Sequence, residues 1–307
     1  MTLGRLAAPA ALLLLAGVSI FTGVAALQWG DLWLIGVSRL PRTAAALLAG
    51  AALAVAGVIM QMLARNRFVE PSTTGTGQAA GLGIVAITLV APAAALWVKM
   101  AAATVAALLG TALFLALVRR LPRRDPLLVP LTGIVYGGIL GAAATFLAYE
   151  RDLIQYVDIW MNGELSGVML GRYEFLWAAG ALAIAAYLYA DRFTIAGMGE
   201  DTSRTLGLDY PRIVALGLLI VAGITAVTVV TVGMIPFVGL VVPNMIARLA
   251  GENLRRTLPQ VAMAGAGLVL ACDILGRVIR YPYEIPVGTI LGVLGAVVFL
   301  WMLNARR

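Results

Sequence analysis

Two pairs of arginines are placed to do chemistry together. Arg39 and Arg42 flank Leu40-Pro41, and Arg277 and Arg280 repeat the same spacing near the other end of the chain. A guanidinium presents five donors in a fixed planar fork that fits a carboxylate two-pronged, and Pro41 stiffens the first pair. Such pairs suit capture of carboxylates on a partner protein; anchoring to lipid headgroups is the plainer use of the same residues. Two further segments gather polar and small residues. Arg65-Asn66-Arg67-Phe68-Val69-Glu70-Pro71 runs into Ser72-Thr73-Thr74-Gly75-Thr76-Gly77, which suggests irregular backbone re-entering at membrane depth. Gly197 to Arg212 contains Glu200 and Asp201, suited to open a short helix, and Gly207, placed to end it. Leu206 and Leu208 are then available to insert into another protein. Either segment also has a plain alternative, an ordinary solvated loop.

The missing residues narrow the chemistry further. There is no histidine, and the single cysteine, Cys272, lies inside an apolar run. Transition-metal sites draw on imidazole and thiolate, so no metal site is expected, and no cofactor. Lys99 is preceded by Val98, so no phosphate-binding Gly-Lys-Ser/Thr loop is present and the chain is not expected to hydrolyse ATP. Histidine-dependent nucleophilic catalysis falls with the missing imidazole. An intramembrane enzyme would need a constellation that is not found.

The elements that must position these groups follow from composition. Hydrophobic residues make up 62% of the 307 and charged residues only 12%, with a mean hydropathy of +0.97. Soluble domains carry about 25% charged residues. Residues 8–27, 43–64, 79–98, 100–118, 127–149 and 285–305 contain no charge, each near the length of a membrane span. Runs 175–190 and 257–272 reach that length with snorkelling flanks. The run 213–247 is broken by Gly233, Pro236, Gly239 and Pro243 into two helices. Ten transmembrane helices are therefore predicted, with 8–27 kept as the first span and not removed as a leader. A β-barrel would show alternating segments of about ten residues instead. In the fifth span Gly133, Gly137 and Gly141 are spaced for close helix approach; they, with Thr73, Thr74 and Thr76, are candidates to line or gate a passage, or serve static packing.

The basic residues set the orientation. With both termini in the cytoplasm, 15 of the 22 fall on the inner side and 7, including both arginine pairs, on the outer. The net charge of +7 is accounted for by topology. No basic stretch is interleaved with aromatics, so nucleic acid is not an expected partner.

Taken in order along the whole chain, several motifs resemble those of a known family. They are Arg39-Leu40-Pro41-Arg42, Asn66 through Pro71, Gly199-Glu200 with Leu206-Gly207-Leu208, Pro236-Phe237-Val238-Gly239-Leu240-Val241-Val242-Pro243, Asp273 with Arg277, and Glu284-Ile285-Pro286-Val287-Gly288. The pattern is similar to the FecCD permeases, the membrane subunits of type II ABC importers for iron-siderophores, haem and vitamin B12. The resemblance implies an all-α integral membrane protein of BtuC-like type II importer permease fold, one transmembrane domain over 1–307 with a coupling loop at 197–212. It implies that Arg39, Arg42 and Arg277 receive glutamates of a periplasmic or lipid-anchored siderophore-binding protein; Arg280 joins them by position only. It further implies that residues 199–212, with Gly199, Glu200, Asp201, Arg204, Leu206, Gly207 and Leu208, couple to cytoplasmic ATPases. Two ATPase subunits and a second permease, a different homologous chain or an identical copy, complete the expected inner-membrane assembly. Two departures are visible. Asn66-Arg67-Phe68-Val69-Glu70-Pro71 replaces the family's Asn-Pro-Leu-Ala-Glu-Pro, and Asn244 follows Pro243 where histidine is usual. The first variant resembles permeases for catecholate and mixed-type chelates, which pair with a different permease chain. A vitamin B12 or haem permease shares the same motifs. A secondary transporter would carry ionisable groups at mid-span, and these spans are nearly bare of them.

Overall fold

Backbone N–H and C=O groups find no water in hydrocarbon, so each uncharged run must close its hydrogen bonds on itself. The computed structural model describes residues 3–23, 32–118, 120–121, 128–251 and 253–304, and the regular elements there are helices. In chain order they are α1 Leu3–Phe21, α2 Leu40–Ala64, α3 Thr76–Val90, α4 Leu96–Val118, α5 Leu128–Tyr149, α6 Ile154–Met161 and α7 Leu176–Leu188. There follow α8 Ala190–Gly197, α9 Glu200–Thr205, α10 Tyr210–Val232, α11 Val238–Ala250, α12 Leu254–Val278 and α13 Val287–Asn304. A wide π turn, Ile35–Arg39, leads straight into α2.

Among the described residues five helices are long and apolar enough to cross a membrane: Ile35–Ala64, α4, α5, α10 and α12. Residues 173–188 and α8, bent by 67° at their junction, make a sixth when taken together. The remaining apolar runs appear as the shorter helices α1, α3, α11 and α13. Each predicted run thus contains a helix among the described residues, although the run 79–98 is broken after Val90, while length alone supports five to six full crossings.

Helix ends moved where charges were involved. Counting charges starts the second span at 43 and stops the ninth at 272, yet the helices reach back to Ile35 and on to Val278. Of the charges on these extensions, Arg42, Asp273 and Arg277 pair with one another and Arg39 bonds a backbone carbonyl, so the helices need not end at them. α3 instead stops at Val90 because Pro92 interrupts the run. The short helix α6 has no counterpart among the predicted elements. Of the basic residues used for orientation, Arg119, Arg123, Arg124, Arg306 and Arg307 lie outside the described residues.

α2 and α10 form the centre. In their most apolar stretches 78% and 72% of residues are buried, against 33% and 28% in α4 and α5, so the latter stand at the periphery. The centre closes tightly because α2 is rich in Ala and Gly. A Cβ on Gly57 would collide with the backbone of Gly239 in α11, and one on Gly50 with the carbonyl of Gly265 in α12.

Candidate functional site

At one end of the molecule the arginines meet. The last carbonyls of α1 have no partner within the helix, and basic residues fill that need. Arg39 Nη1 donates to the Ile20 carbonyl at 2.9 Å. Arg277 Nη1 donates to the carbonyls of Ser19 and Thr22 at 2.9 and 2.6 Å, and its Nη2 to Ser19 Oγ at 2.7 Å. Both cations also suit the negative end of the helix dipole. Arg42 crosses from α2 to α12, where its Nε and Nη2 donate to Asp273 at 3.1 and 2.7 Å. Its Nη1 donates to the two oxygens of Glu284 at 3.0 and 2.8 Å. Asp273 turns its second oxygen to Arg277 Nη2 at 2.7 Å.

Most of these groups are turned inward and not presented to a partner. Asp273, Arg277 and Arg39 are 2%, 4% and 7% exposed, and the Arg42 side chain 13%. Arg280 is exposed, its guanidinium over the Tyr283 ring. The structure brings Arg39, Arg42 and Arg277 to one end but turns all three inward. The reason is that a desolvated guanidinium needs partners at once, and this chain supplies its own. The Asp273–Arg277 spacing, one helical turn, was the signal in the sequence for that pairing. Nothing local announced that Arg42 would join Asp273 and Glu284, more than two hundred residues away.

Deeper in the molecule the segment before α3 meets the broken connection between α10 and α11. Glu70 is 2% exposed, and its Oε1 accepts from the Phe237 N–H at 2.7 Å and from the Ser72 hydroxyl. It thereby sits at the N-terminal end of α11, where helix N–H groups lack partners and negative charge is favoured. Asn244 Nδ2 donates to the carbonyls of Arg67 and Leu240, each at 2.7 Å. A narrow cleft beside Glu70 is lined by Ser72, Thr225, Thr228 and Met234.

The gate candidates lie in the same region, and most are used in packing. Thr74 and Thr76 are fully buried; their hydroxyls are 3.1 Å apart, and Thr76 bonds Thr111 at 2.7 Å. Thr73 Oγ1 donates to its neighbour carbonyl at Glu70, 3.1 Å away. Gly133 packs on the Thr73 carbonyl and Gly137 on Gly75, while Gly141 meets only the side chain of Gln78 more loosely. The segment leading into α3 is irregular as expected, and Phe68 to Pro71, Thr74 and Gly75 are buried in protein. Thr73 and Gly141 keep partial exposure.

At the opposite end, α8 and α9 form a compact turn. α9 runs from Glu200 to Thr205, its opening Glu200 paired with Arg204 at 2.7 Å on the exposed face, where Asp201 also lies. Gly207 closes it: the Leu208 N–H reaches the Ser203 carbonyl and the Gly207 N–H the Arg204 carbonyl, both at 2.9 Å. Gly207 has φ +78, the left-handed geometry that this C-cap requires. The fully buried Ser203 sets its hydroxyl 3.0 Å from the Ile195 carbonyl, pinning α9 to α8. Leu206 stands out at 60% exposure, joined by Met198 at the same value. Leu208, expected to protrude with Leu206, is half-buried and packs against the core. Arg65, at the end of α2, reaches this turn beside Gly199.

Comparison with known proteins bears on this arrangement. The model of the FecCD transport family matches residues 10–305. The petrobactin import system permease protein YclN of Bacillus subtilis (strain 168) is 44% identical over 304 residues, covering 96% of each chain. The ferric-anguibactin transport system permease protein FatD of Vibrio anguillarum (strain ATCC 68554 / 775) is 41% identical, over 93% of this chain and 94% of its own. Vitamin B12 import permeases are more distant in sequence. A solved chain described as a metal-chelate type ABC transporter, in an inward-facing conformation, superposes with a TM-score of 0.82 at 22% identity, covering 97% of both chains. That likeness establishes the fold.

Proposed function

The chain belongs to the FecCD transport family, and from that premise we propose that it is the permease subunit of an ABC importer that moves ferric-siderophore complexes across the inner membrane. The observation that carries this is the 44% identity to a petrobactin import permease over 96% of both chains. The order of motifs along the chain supports it, and so does their meeting in space, Glu70 with Phe237 and Arg42 with Asp273.

In this reading the chain acts as one transmembrane unit with both termini in the cytoplasm, and ATP is hydrolysed on two separate subunits. A second permease, a homologous chain or a copy of this one, faces it, and the passage for the chelate lies between the two. The dense packing around Thr74, Thr76, Gly133 and Gly137 favours a passage between chains over one within this chain. Thr73 and Gly141 are the gate candidates left at its edge. A siderophore-binding protein docks at the end that carries Arg39, Arg42, Arg277 and Arg280, with Arg280 the most accessible. At the other end Gly199, Glu200, Asp201, Arg204, Leu206 and Gly207 form the turn that couples to the ATPases, with Leu206 as the protruding contact.

The test is uptake of radiolabelled iron by a strain lacking this chain, with and without its restoration. Catecholate chelates, hydroxamate chelates and unchelated iron are supplied in parallel. Restored, ATP-dependent uptake of one chelate class is expected. No restored uptake of iron in any form would overturn the siderophore assignment and leave vitamin B12 or haem as the cargo. Uptake that continues without ATP would instead indicate a secondary transporter.

A further inference from the structure

Arg42 divides its guanidinium between two carboxylates that differ in freedom. On one edge Nε and Nη2 face Asp273 at 3.1 and 2.7 Å. Asp273 is 2% exposed and also holds Arg277, so losing it would strand two buried cations without compensation, an arrangement proteins avoid. On the other edge Nη1 faces Glu284 at 3.0 and 2.8 Å. Glu284 stands on the connection between α12 and α13, and its side chain is 25% exposed. Water can solvate this carboxylate as it swings away. The cluster therefore has one deeply buried anion and one that can leave, and the latter is the more exposed.

We infer that Glu284 is an internal stand-in for a partner's carboxylate, holding the Nη1 edge of Arg42 until an Asp or Glu of the docking protein displaces it. The inference rests on the docking role proposed above for Arg42. Its physical basis is that exchange of one carboxylate for another keeps Arg42 paired throughout. An arginine left bare at this depth would pay for desolvation without return; one clamped on both edges could not accept a partner. With Glu284 in place Arg42, Arg277, Asp273 and Glu284 cancel one another's charge, so these four groups do little to attract the partner, and the charge left over is that of the buried Arg39. Arg280, exposed on the same connection, supplies the steering charge. Glu284 is thus a positioning residue that sets how readily Arg42 becomes available.

The test is titration of the assembled importer, in nanodiscs, with its labelled binding protein. Wild type is compared with Glu284→Gln, Glu284→Asp, Arg42→Gln and the double variant Arg42→Gln/Glu284→Gln, and thermal unfolding is recorded for each. Glu284→Gln is expected to tighten docking about fivefold, the size set by a partly exposed ion pair. Glu284→Asp, with a shorter reach, is expected to tighten it less, and it keeps the inference testable if the glutamine variant does not assemble. Arg42→Gln is expected to weaken docking, and in the double variant the gain from Glu284→Gln should vanish. If Arg42→Gln weakens docking while neither Glu284 variant tightens it, the exchange is overturned and Glu284 is only a structural clip, visible as a lowered melting temperature. If Arg42→Gln leaves docking unchanged, the docking role of Arg42 itself fails, and the inference with it.

Discussion

Glu70 illustrates how one buried side chain can decide whether a helix starts. α11 begins abruptly after Phe237, at φ +66, and its first residues Val238, Gly239 and Leu240 are buried. The Glu70 carboxylate, contributed by a segment 167 residues earlier in the chain, accepts from the Phe237 N–H there. Glu70→Ala leaves the Phe237 N–H and its neighbours without an acceptor, and is expected to cost about 1–3 kcal/mol. Glu70→Gln keeps an acceptor oxygen and should cost clearly less. Thermal unfolding of the purified chain in detergent measures both, and equal losses would argue that charge matters more than acceptor geometry. The glutamate was visible in the sequence as part of a polar segment. Its task was not, because the Phe237 N–H it serves is brought near only by the packing of Gly57 on Gly239.

Among the elements, α9 is the one whose limits could be drawn from local residues. Glu200 and Asp201 favour the start and Gly207 permits the stop, and the helix occupies Glu200–Thr205. A branched side chain at Gly207 must adopt φ +78, a strain of about 1–3 kcal/mol. Gly207→Val is therefore expected to disorder the turn and uncouple ATP hydrolysis from transport. Leu206→Asp changes an exposed side chain and should leave stability within about 0.5 kcal/mol. It should nevertheless abolish stimulation of the ATPase by loaded binding protein, read as phosphate release in proteoliposomes. Full stimulation in Leu206→Asp would remove Leu206 from the coupling contact. The long spans were equally legible as to existence, and less so as to ends. Arg42 and Asp273 look like terminators to a charge count, but their mutual bond lets both helices continue.

At the scale of the whole molecule, charge is divided between two ends and is used differently at each. At one end Arg39, Arg42 and Arg277 are consumed in tying α1, α2 and α12 together, and Arg280 remains outward. At the other, Arg204 and Arg212 form exposed pairs with Glu200 and Asp209 on and beside the turn proposed to couple to the ATPases. An exposed arginine acts on a partner chiefly through the rate of encounter. Arg280→Glu is accordingly expected to slow association of the binding protein severalfold, with little change in dissociation. Raising the ionic strength should slow the wild type in the same way, since exposed charges are screened beyond about 8 Å at physiological salt. Stopped-flow association at several salt concentrations measures both, and an association rate independent of Arg280 and of salt would contradict the steering role.

The sequence by itself determined that the chain is helical and crosses a membrane, because long uncharged runs leave the backbone no other way to satisfy its polar groups in lipid. It also pointed to the short helix opened by Glu200 and Asp201 and closed at Gly207, because its start and stop signals lie within the segment itself. The tertiary structure alone decided what the charged and polar residues do. Arg42 finds Asp273 and Glu284 across more than two hundred residues, Asn244 finds the Arg67 carbonyl, and Leu208 turns inward while Leu206 does not. A hydrogen bond or ion pair acts over about 3 Å of space whatever the distance along the chain. Residue type and spacing therefore name the groups able to bond, and only the packing of α2 against α11 and α12 selects which of them meet.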